Sequence, residues 1–347
     1  MTGAAGDDCV ERIRTALAPV IGSATAEQLT LVSPPMRRSR STLFFFGLEG
    51  QEPIYVVKVP VLGDTAVDAT PAASSADQFR ALTLAHRWFD EEDRHSAVRP
   101  VAYLEDFDAV AMEYASGRPY RRTLRRTVLA PQPALGAAAA AGDALRRLHR
   151  HARAFQAPVD LYGLAEEVRE ADASVLQPSG LRLPDEVGRV LDEVPKAEVF
   201  HDRVAMHGDF APNNLILMDA DQVVMIDLSL VDVGLPEDDL ARFLAVMSSY
   251  SVFIPGSVLP RVRRLRRELE SAFRSGYGAA ETEPAVMELR LLKQYALRWR
   301  RIRELSRLAR YEQAMRARQR VIDPHMRSLV KESARRLSIL LGSDRVG

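Results

Sequence analysis

The hydrophobic and polar positions divide the chain into a strand-rich first part and a helix-rich second part. After an N-terminal helical stretch at residues 9–21, the runs LTLV, STLFFFGL and PIYVVKVP lie between residues 29 and 60 and are rich in β-branched and aromatic residues. Such runs, separated by turn residues, are typical of an antiparallel sheet. Residues 76–89 carry apolar residues near helical spacing, and two more strand-like runs, VRPVAYLE and AVAMEYA, follow. We therefore predict an antiparallel sheet with a helix.

The second part has the pattern of helices with one exception. The stretch LGAAAAAGDALRRLHRHAR is strongly helix-prone, and three further helical patterns lie beyond residue 260. The exception is the pair NLILM and VVMIDL, which are separated by DADQ and predict a β-hairpin inside a helical region. Residues 155–203 contain scattered Pro and Gly, so we expect loops and a short helix there. The fold class predicted by this order is α+β.

A small break separates the two parts at residues 116–119, Ser-Gly-Arg-Pro. A chain of 347 residues is long enough for about two domains. We therefore expect an N-terminal lobe over residues 1–115 and a larger helical lobe over residues 116–347.

Composition indicates a folded protein of the cytoplasm without a membrane partner. Hydrophobic residues make up 47% and charged residues 27% of the chain, which is ordinary for globular proteins. No apolar run approaches the roughly 18 residues of a membrane span, and the start, MTGAAGDDCVERIR, is acidic where a signal peptide is basic. Because Cys9 is the only cysteine, any metal is expected on oxygen or imidazole ligands.

The basic residues are distributed unevenly in kind and in place. The chain has 47 basic and 47 acidic residues, but only four of the basic ones are lysines: Lys58, Lys196, Lys293 and Lys331. From residue 261 onward there are 22 basic and 10 acidic residues. This excess indicates either solvated helix faces or a surface that attracts anions. Because no helix-turn-helix or aromatic-interleaved pattern accompanies it, we expect no nucleic-acid partner.

Three oxygen-bearing side chains lie around the predicted hairpin. Asp209 is followed five residues later by Asn214, and Asp227 comes directly after the hairpin. The short loop and the hairpin are expected to bring the three side chains to one pocket. Phosphoryl transfer needs such groups, because a carboxylate orients or deprotonates the acceptor hydroxyl and hard oxygen ligands hold Mg²⁺ against nucleotide phosphates.

These residues resemble the motifs of the aminoglycoside phosphotransferase and choline kinase family, whose members are related to protein kinases. The matching positions are His207-Gly208-Asp209, Asn214 and Ile226-Asp227, followed by Gly234, Pro236 and Asp239-Leu240-Ala241. The resemblance implies a bilobal protein-kinase-like fold. It also implies that Asp209 is the catalytic residue, that Asn214 and Asp227 are Mg²⁺ ligands, and that Asp239 supports the loop.

The resemblance implies a phosphate-binding lysine in the first part of the chain. Lys58 lies in the middle of the strand YVVKVP, which resembles the lysine strand of kinases. Kinases pair this lysine with a helix glutamate, but the aligned position here is Gln78, with Asp77 beside it. Either Gln78 or Asp77 is therefore expected to partner Lys58, or the pair forms only when nucleotide is bound.

Met112, Glu113 and Tyr114 resemble the hinge whose backbone amide and carbonyl groups bind a purine edge. Main-chain contacts do not distinguish ATP from GTP, so either nucleotide is an expected donor.

Two functions are consistent with these residues. The leading hypothesis is an enzyme that moves the γ-phosphoryl group of ATP or GTP to a hydroxyl of a small molecule, such as a sugar, a nucleoside-type metabolite, a natural product or an antibiotic. The arginine-rich C-terminal part favours a neutral or anionic acceptor over a polycationic one. The alternative is an inactive kinase-like scaffold or sensor that binds nucleotide, which the glutamine at position 78 favours and the intact set of Asp209, Asn214 and Asp227 opposes.

Overall fold

The computed structural model describes residues 4–38, 40–61, 74–89, 94–179, 182–218, 221–230, 232–278, 281–308 and 312–343. Among the helices in these ranges, none has the length and apolarity needed to cross a membrane.

Within these ranges, the first part of the chain contains two N-terminal α-helices, six strands and one α-helix between the strands, and helices dominate the second part. The strands are β1 (Thr30–Arg37), β2 (Ser41–Gly47), β3 (Pro53–Pro60), β4 (His95–Ala97), β5 (Pro100–Leu104), β6 (Ala109–Glu113), β7 (Arg118–Pro119), β8 (Arg153–Asp160), β9 (Glu198–Ala205), β10 (Leu215–Leu217), β11 (Val223–Met225) and β12 (Val233–Gly234). The helices are α1 (Ala4–Ile21), α2 (Ser23–Gln28), α3 (Ser75–Phe89), α4 (Tyr120–Arg126), α5 (Pro131–His151), α6 (Leu161–Ser179), α7 (Asp185–Asp192), α8 (Pro236–Ser248), α9 (Pro260–Tyr277), α10 (Pro284–Leu308) and α11 (Glu312–Ser343).

The predicted antiparallel sheet is present, with strand order β1-β2-β3-β6-β5. Its two faces follow the period of two that a strand imposes on its side chains. On β6, Ala109 and Ala111 join a core with Ile13 and Leu17 of α1. The alternate residue Val110 belongs to the larger core that also contains apolar residues of α3. Both faces of the sheet are therefore covered, and α3 is held next to β6.

The second part is built around a helical core with an aromatic centre. Helix α5 packs against α9, and α10 packs against α6, α8 and α11. Phe243 and Phe273 stack with ring centroids 4.2 Å apart, and Phe210 lies 5.5 Å from Phe243. The predicted hairpin is confirmed, because β10 and β11 pair antiparallel with Leu215 opposite Met225. The α+β class predicted from the sequence is confirmed by this arrangement.

Residues 155–203 differ from the expectation of loops and a short helix. Strands β8 and β9 pair antiparallel from Arg153–Val204 to Asp160–Glu198, and α6 and α7 lie between them. Most residues of β8 are exposed, so the strand lacks the apolar alternation by which a strand is recognised. Its partner is also distant along the chain. The local pattern therefore could not reveal this pairing.

One small sheet crosses the predicted boundary between the two lobes. The short strand β4, not expected from the sequence, pairs parallel with β11, and His95 lies opposite Val223. The sheet order β4-β11-β10-β7 therefore joins residues of the first part to the hairpin of the second. The division at residues 115 and 116 stays a prediction.

Two glycines allow α5 and α9 to approach closely. A Cβ atom added at Gly142 would lie 2.1 Å from the carbonyl oxygen of Phe273, and one added at Gly276 would lie 2.0 Å from that of Ala139. Real Cβ atoms do not come so close to a backbone oxygen, so any side chain at either position would push the helices apart.

We predict that Gly142→Ala lowers the free energy of unfolding by about 1–3 kcal/mol, because overpacking forces backbone shifts in a filled core. The matched control is Gly188→Ala in α7, where an added Cβ meets no atom within 4 Å. That change is expected to be neutral or stabilising, by up to about 1 kcal/mol. Denaturant unfolding of the variants measures both, and equal effects would contradict the close helix contact.

Candidate functional site

The loop of residues 207–214, here called the motif loop, is held by a buried carboxylate in α8. Asp239 accepts hydrogen bonds from the backbone amides of His207 (2.7 Å) and Gly208 (3.1 Å). Its Oδ2 also lies 3.2 Å from Nε2 of His149, whose Nδ1 lies 3.0 Å from the Tyr277 hydroxyl. Asp239 is 2% exposed, so these partners replace the water that it lacks. The supporting role expected for Asp239 agrees with these bonds.

Asp239 remains ionised despite its burial. Burial alone would raise the pKa of its carboxyl group, but the hydrogen bond with His149 and the nearby His207 lower the pKa below its ordinary value. The carboxylate form is the one that accepts two amide hydrogen bonds at once.

His207 packs inside the loop. Its ring is fully buried and lies edge-on to Phe210, with ring centroids 5.3 Å apart. Its Nδ1 accepts a hydrogen bond from the amide of Asp209 (3.4 Å), and its carbonyl oxygen accepts bonds from the amide and hydroxyl of Ser229. Burial lowers the pKa of His207, so the imidazole is neutral near pH 7. These contacts support a bracing role for His207.

Asp209 is fixed through both of its carboxylate oxygens. Asn214 donates through Nδ2 to Oδ2 of Asp209 (3.0 Å) and to its carbonyl oxygen (2.9 Å). Arg242 of α8 donates through Nε to Oδ1 (2.7 Å) and also contacts this oxygen through a terminal nitrogen. The Asp209 side chain nevertheless stays 51% exposed, so a ligand can reach it.

Sequence reasoning did not identify Arg242. Its position carried a usable signal, because it lies three residues after Asp239 and residues three apart share one face of a helix. One turn of α8 therefore holds the backbone of the motif loop through Asp239 and the side chain of Asp209 through Arg242.

Lys58, Gln78 and Asp227 meet at a second cluster, here called the lysine cluster. Lys58 lies on β3, a central strand whose neighbours place it opposite Leu43 and Val110, so it is not a lysine on an open sheet edge. Its Nζ donates to Oε1 of Gln78 (3.2 Å) and to Oδ1 of Asp227. Gln78 donates through Nε2 to the same Asp227 oxygen. The glutamine therefore bridges the cation and the carboxylate.

The structure distinguishes between the two expected partners of Lys58. Asp77 accepts hydrogen bonds from the hydroxyl of Ser74 (2.7 Å) and from Arg80 (3.0 Å). Gln78, 8% exposed, occupies the inward position of α3. A glutamine can accept a hydrogen bond from Lys58 and donate one to Asp227 at the same time. An ionised glutamate has no donor, and at this position it would place two carboxylates side by side.

The lysine cluster keeps Asp227 ionised. Burial would raise the pKa of Asp227, but the charge of Lys58 and the hydrogen bonds from Lys58 and Gln78 lower it below the ordinary range. The backbone of Asp227 is left-handed, with φ of 65°. The preceding amide, of Ile226, donates to the carbonyl oxygen of Asn214 (3.0 Å). Asp227 and Asn214 are thereby held next to each other.

The donor set fits a magnesium ion that also binds phosphates. Asn214 uses its amide nitrogen toward Asp209, and only Oδ1 of Asp227 is hydrogen-bonded within the described residues. An amide oxygen and a carboxylate oxygen therefore remain for a hard cation. Among the residues that the structure describes, no group of three or more His, Cys, Asp or Glu side chains could hold a metal ion. Mg²⁺ commonly takes one or two protein oxygens and completes its shell with phosphates and water.

The segment Met112, Glu113 and Tyr114 lies at the end of β6, beside β3. The amide of Glu113 donates to the carbonyl oxygen of Arg99 (2.9 Å), and that of Tyr114 donates to the carbonyl oxygen of Ile54 (2.7 Å). Met112 is mostly buried between β3 and β5. The amides of Glu113 and Tyr114 are therefore already bonded within the protein, and the purine contact of this segment stays a prediction.

Comparisons with known proteins found a family model and several solved structures that this chain resembles. A model described as the phosphotransferase enzyme family matches residues 38–289. A structure of glucosamine kinase in complex with glucosamine, ADP and inorganic phosphate is 19% identical over 94% of this chain and 83% of that chain, with a TM-score of 0.51. Glucosamine kinase in crystal form A is 18% identical over 94% and 81%, with a TM-score of 0.51. A choline/ethanolamine kinase family protein from Mesorhizobium loti is 14% identical over 92% and 99%, with a TM-score of 0.49.

The likeness to the glucosamine kinase structures confirms the predicted kinase-like fold. The comparison with curated proteins gave no match.

We predict that Asp239→Asn lowers the free energy of unfolding by about 1–3 kcal/mol. The NH₂ group of the asparagine would face the backbone amides of His207 and Gly208, and one of these buried donors would then lose its acceptor. The control is Asp221→Asn, which makes the same chemical change in an exposed ion pair with Arg94 and should cost less than about 0.5 kcal/mol. Denaturant unfolding measures both. A loss of unfolding free energy in Asp239→Asn as small as in the control would show that the hydrogen bonds of Asp239 to the motif loop do not stabilise the fold.

Proposed function

The chain belongs to the phosphotransferase enzyme family, and from this premise we propose that it moves the γ-phosphoryl group of ATP or GTP to a hydroxyl group of a small molecule. The observation that carries the proposal is the position of Asp209. Its carboxylate is fixed by Asn214 and Arg242 yet remains half exposed, and Asn214 also adjoins Asp227. The Asp209 carboxylate, which would bind the acceptor hydroxyl, thus lies beside Asn214 and Asp227, whose oxygens would bind the metal–nucleotide complex.

The lysine cluster supplies the nucleotide side of the proposed reaction. Lys58 offers a compact positive charge that suits phosphate oxygens, and its position on a central strand limits its movement. Gln78 keeps a donor on Asp227 when Lys58 turns toward phosphate. Asn214 and Asp227 would hold Mg²⁺, which when bound neutralises charge that develops on the phosphate oxygens.

Asp209 supplies the acceptor side. Its carboxylate orients the acceptor hydroxyl and takes the proton as the oxygen–phosphorus bond forms and the bond between the β–γ bridging oxygen and the γ-phosphorus breaks. Arg242 and Asn214 hold the two carboxylate oxygens in fixed directions, so little reorganisation is needed during transfer. Such positioning is the main contribution that proteins make to phosphoryl transfer.

The acceptor that we propose is a neutral or anionic hydroxyl compound, such as a sugar, a nucleoside-type metabolite, a natural product or an antibiotic. The arginine-rich surroundings of Asp209 support this choice over a polycation. The structurally similar glucosamine kinase was solved with glucosamine and ADP, which supports a sugar and a nucleotide as the classes of ligand but not the charge of the acceptor, because glucosamine is a cationic amino sugar.

The alternative is a nucleotide-binding scaffold that transfers no phosphoryl group. The observation that favours it is Gln78 in place of the usual glutamate. Its bridge between Lys58 and Asp227 weakens that argument, because the glutamine still orients the lysine.

We predict that Asp209→Asn lowers phosphoryl transfer by about 10²–10⁴-fold, the usual loss on removing a general base, while nucleotide affinity stays within about threefold of the wild type. ADP or GDP release over a library of sugars, amino sugars, sugar phosphates, nucleosides and choline measures transfer, and calorimetry measures affinity. Asp221→Asn is the matched control and should keep full activity. If wild type and Asp209→Asn consume nucleotide equally slowly with every acceptor, while both bind it tightly, the scaffold is the better account.

A further inference from the structure

Several arginines near the motif loop lack the carboxylate partners that arginines elsewhere in the structure have. Buried Glu270, for comparison, pairs with Arg266 (3.2 Å), Arg274 (3.1 Å) and Arg336 (3.2 Å). Arg298 of α10 instead donates through Nε to the hydroxyl of Ser249 (3.0 Å). Among the residues that the structure describes, no carboxylate lies within ion-pair distance of Arg298. Its charge is therefore not balanced by a carboxylate contact in that part of the chain.

Arg298 does not stand alone beside the motif loop. The Tyr250 hydroxyl donates to Oδ1 of Asn213 (2.6 Å), the residue before Asn214. Arg121 and Arg125 of α4, together with Arg298, act electrostatically on Tyr250. Helix α4 also packs against Pro212–Asn214 of the loop. We call Arg121, Arg125 and Arg298 the loop-side arginines.

The loop-side arginines form a region of uncompensated positive charge. Burial lowers the pKa of Arg298, and the charges of Arg301 and Arg242 lower it further. Asp209, the nearby carboxylate that opposes them, is already bonded to Arg242. In the described part of the chain, neither Arg121 nor Arg125 forms an ion pair. Like charges gathered in this way destabilise a fold unless an anion balances them.

We propose that the acceptor carries an anionic group, a carboxylate or a phosphate, that binds Arg298 and Arg121 beside Tyr250 while its hydroxyl group meets Asp209. The inference rests on the proposed phosphotransferase function and adds the substrate class. The planar guanidinium fork matches the paired oxygens of carboxylates and phosphates. The same charges repel a cationic acceptor.

Calorimetry with matched probes tests the anion site. The protein is first saturated with Mg²⁺ and a non-hydrolysable ATP analogue, so that the lysine cluster is occupied and cannot bind the probe. Glucose 6-phosphate and gluconate are then compared with glucose and glucosamine, which separates a phosphate from a carboxylate and an anion from a neutral or cationic compound. We expect at least one anionic probe to bind about 10-fold or more tightly than glucose, and glucosamine to bind no more tightly than glucose.

Three variants locate the site. Arg298→Gln and Arg121→Gln lie on different helices, and each is expected to lower the affinity for the anionic probe about 10-fold or more, since hydrogen bonds to charged groups are the strong ones. Arg122→Gln is the control, because Arg122 is exposed on the same helix as Arg121, and it should leave binding within about twofold. Melting temperatures verify that each variant is folded.

The outcomes separate this inference from the proposed function. Equal binding of anionic and neutral probes, or equal losses in Arg122→Gln and the two test variants, would refute the anion site whatever the turnover. Nucleotide consumption is measured in parallel with ATP and the same probes together with the wider acceptor library. If no acceptor is phosphorylated although the anionic probe binds through Arg298 and Arg121, the phosphotransferase proposal fails and the anion site stands as a ligand site.

Discussion

One carboxylate oxygen of Asp227 holds together three parts of the chain that are far apart in sequence. Lys58 reaches it from the central strand of the N-terminal sheet, Gln78 reaches it from α3, and Asp227 itself follows the hairpin of the helical part. Asp227 is only partly buried, with its side chain 36% exposed, and a carboxylate partly removed from water is stabilised by a nearby cation and an amide donor. These hydrogen bonds therefore help to hold the sheet, α3 and the hairpin in fixed positions relative to one another.

A second constraint acts from the opposite side of the motif loop. Helix α8 fixes the loop backbone through Asp239 and the Asp209 side chain through Arg242, so both depend on one turn of the helix. The aromatic core beneath, with Phe243 stacked on Phe273, keeps α8 and α9 in place. A site built on such elements needs little rearrangement when its ligands bind, which is how preorganised sites stabilise charge.

The sequence predicted the parts of this design that have a local or motif signal. The strands of the N-terminal sheet and the hairpin followed from the period of apolar residues and from turn residues. The proximity of Asn214 to Asp209 and Asp227 followed from their spacing around the hairpin. The polar strand β8 could not be predicted, because its pairing with β9 spans a long insertion and buries few apolar residues. Arg242 was missed although its spacing from Asp239 indicated a shared helix face, and the choice of Gln78 over Asp77 depended on which side chain faces inward, which is set by the packing of α3.

In the proposed enzyme, Asp227 and Asn214 would hold Mg²⁺, and Lys58 would exchange its contact with Asp227 for the nucleotide phosphates. Calorimetric titration of a non-hydrolysable ATP analogue, with and without Mg²⁺, into the wild type and Asp227→Asn examines this exchange without relying on turnover. We expect Mg²⁺ to tighten binding to the wild type by about 10-fold or more and to have little effect on Asp227→Asn, because an amide is a poorer ligand for a hard cation than a carboxylate. An equal effect of Mg²⁺ on both proteins would contradict the assignment of Asp227.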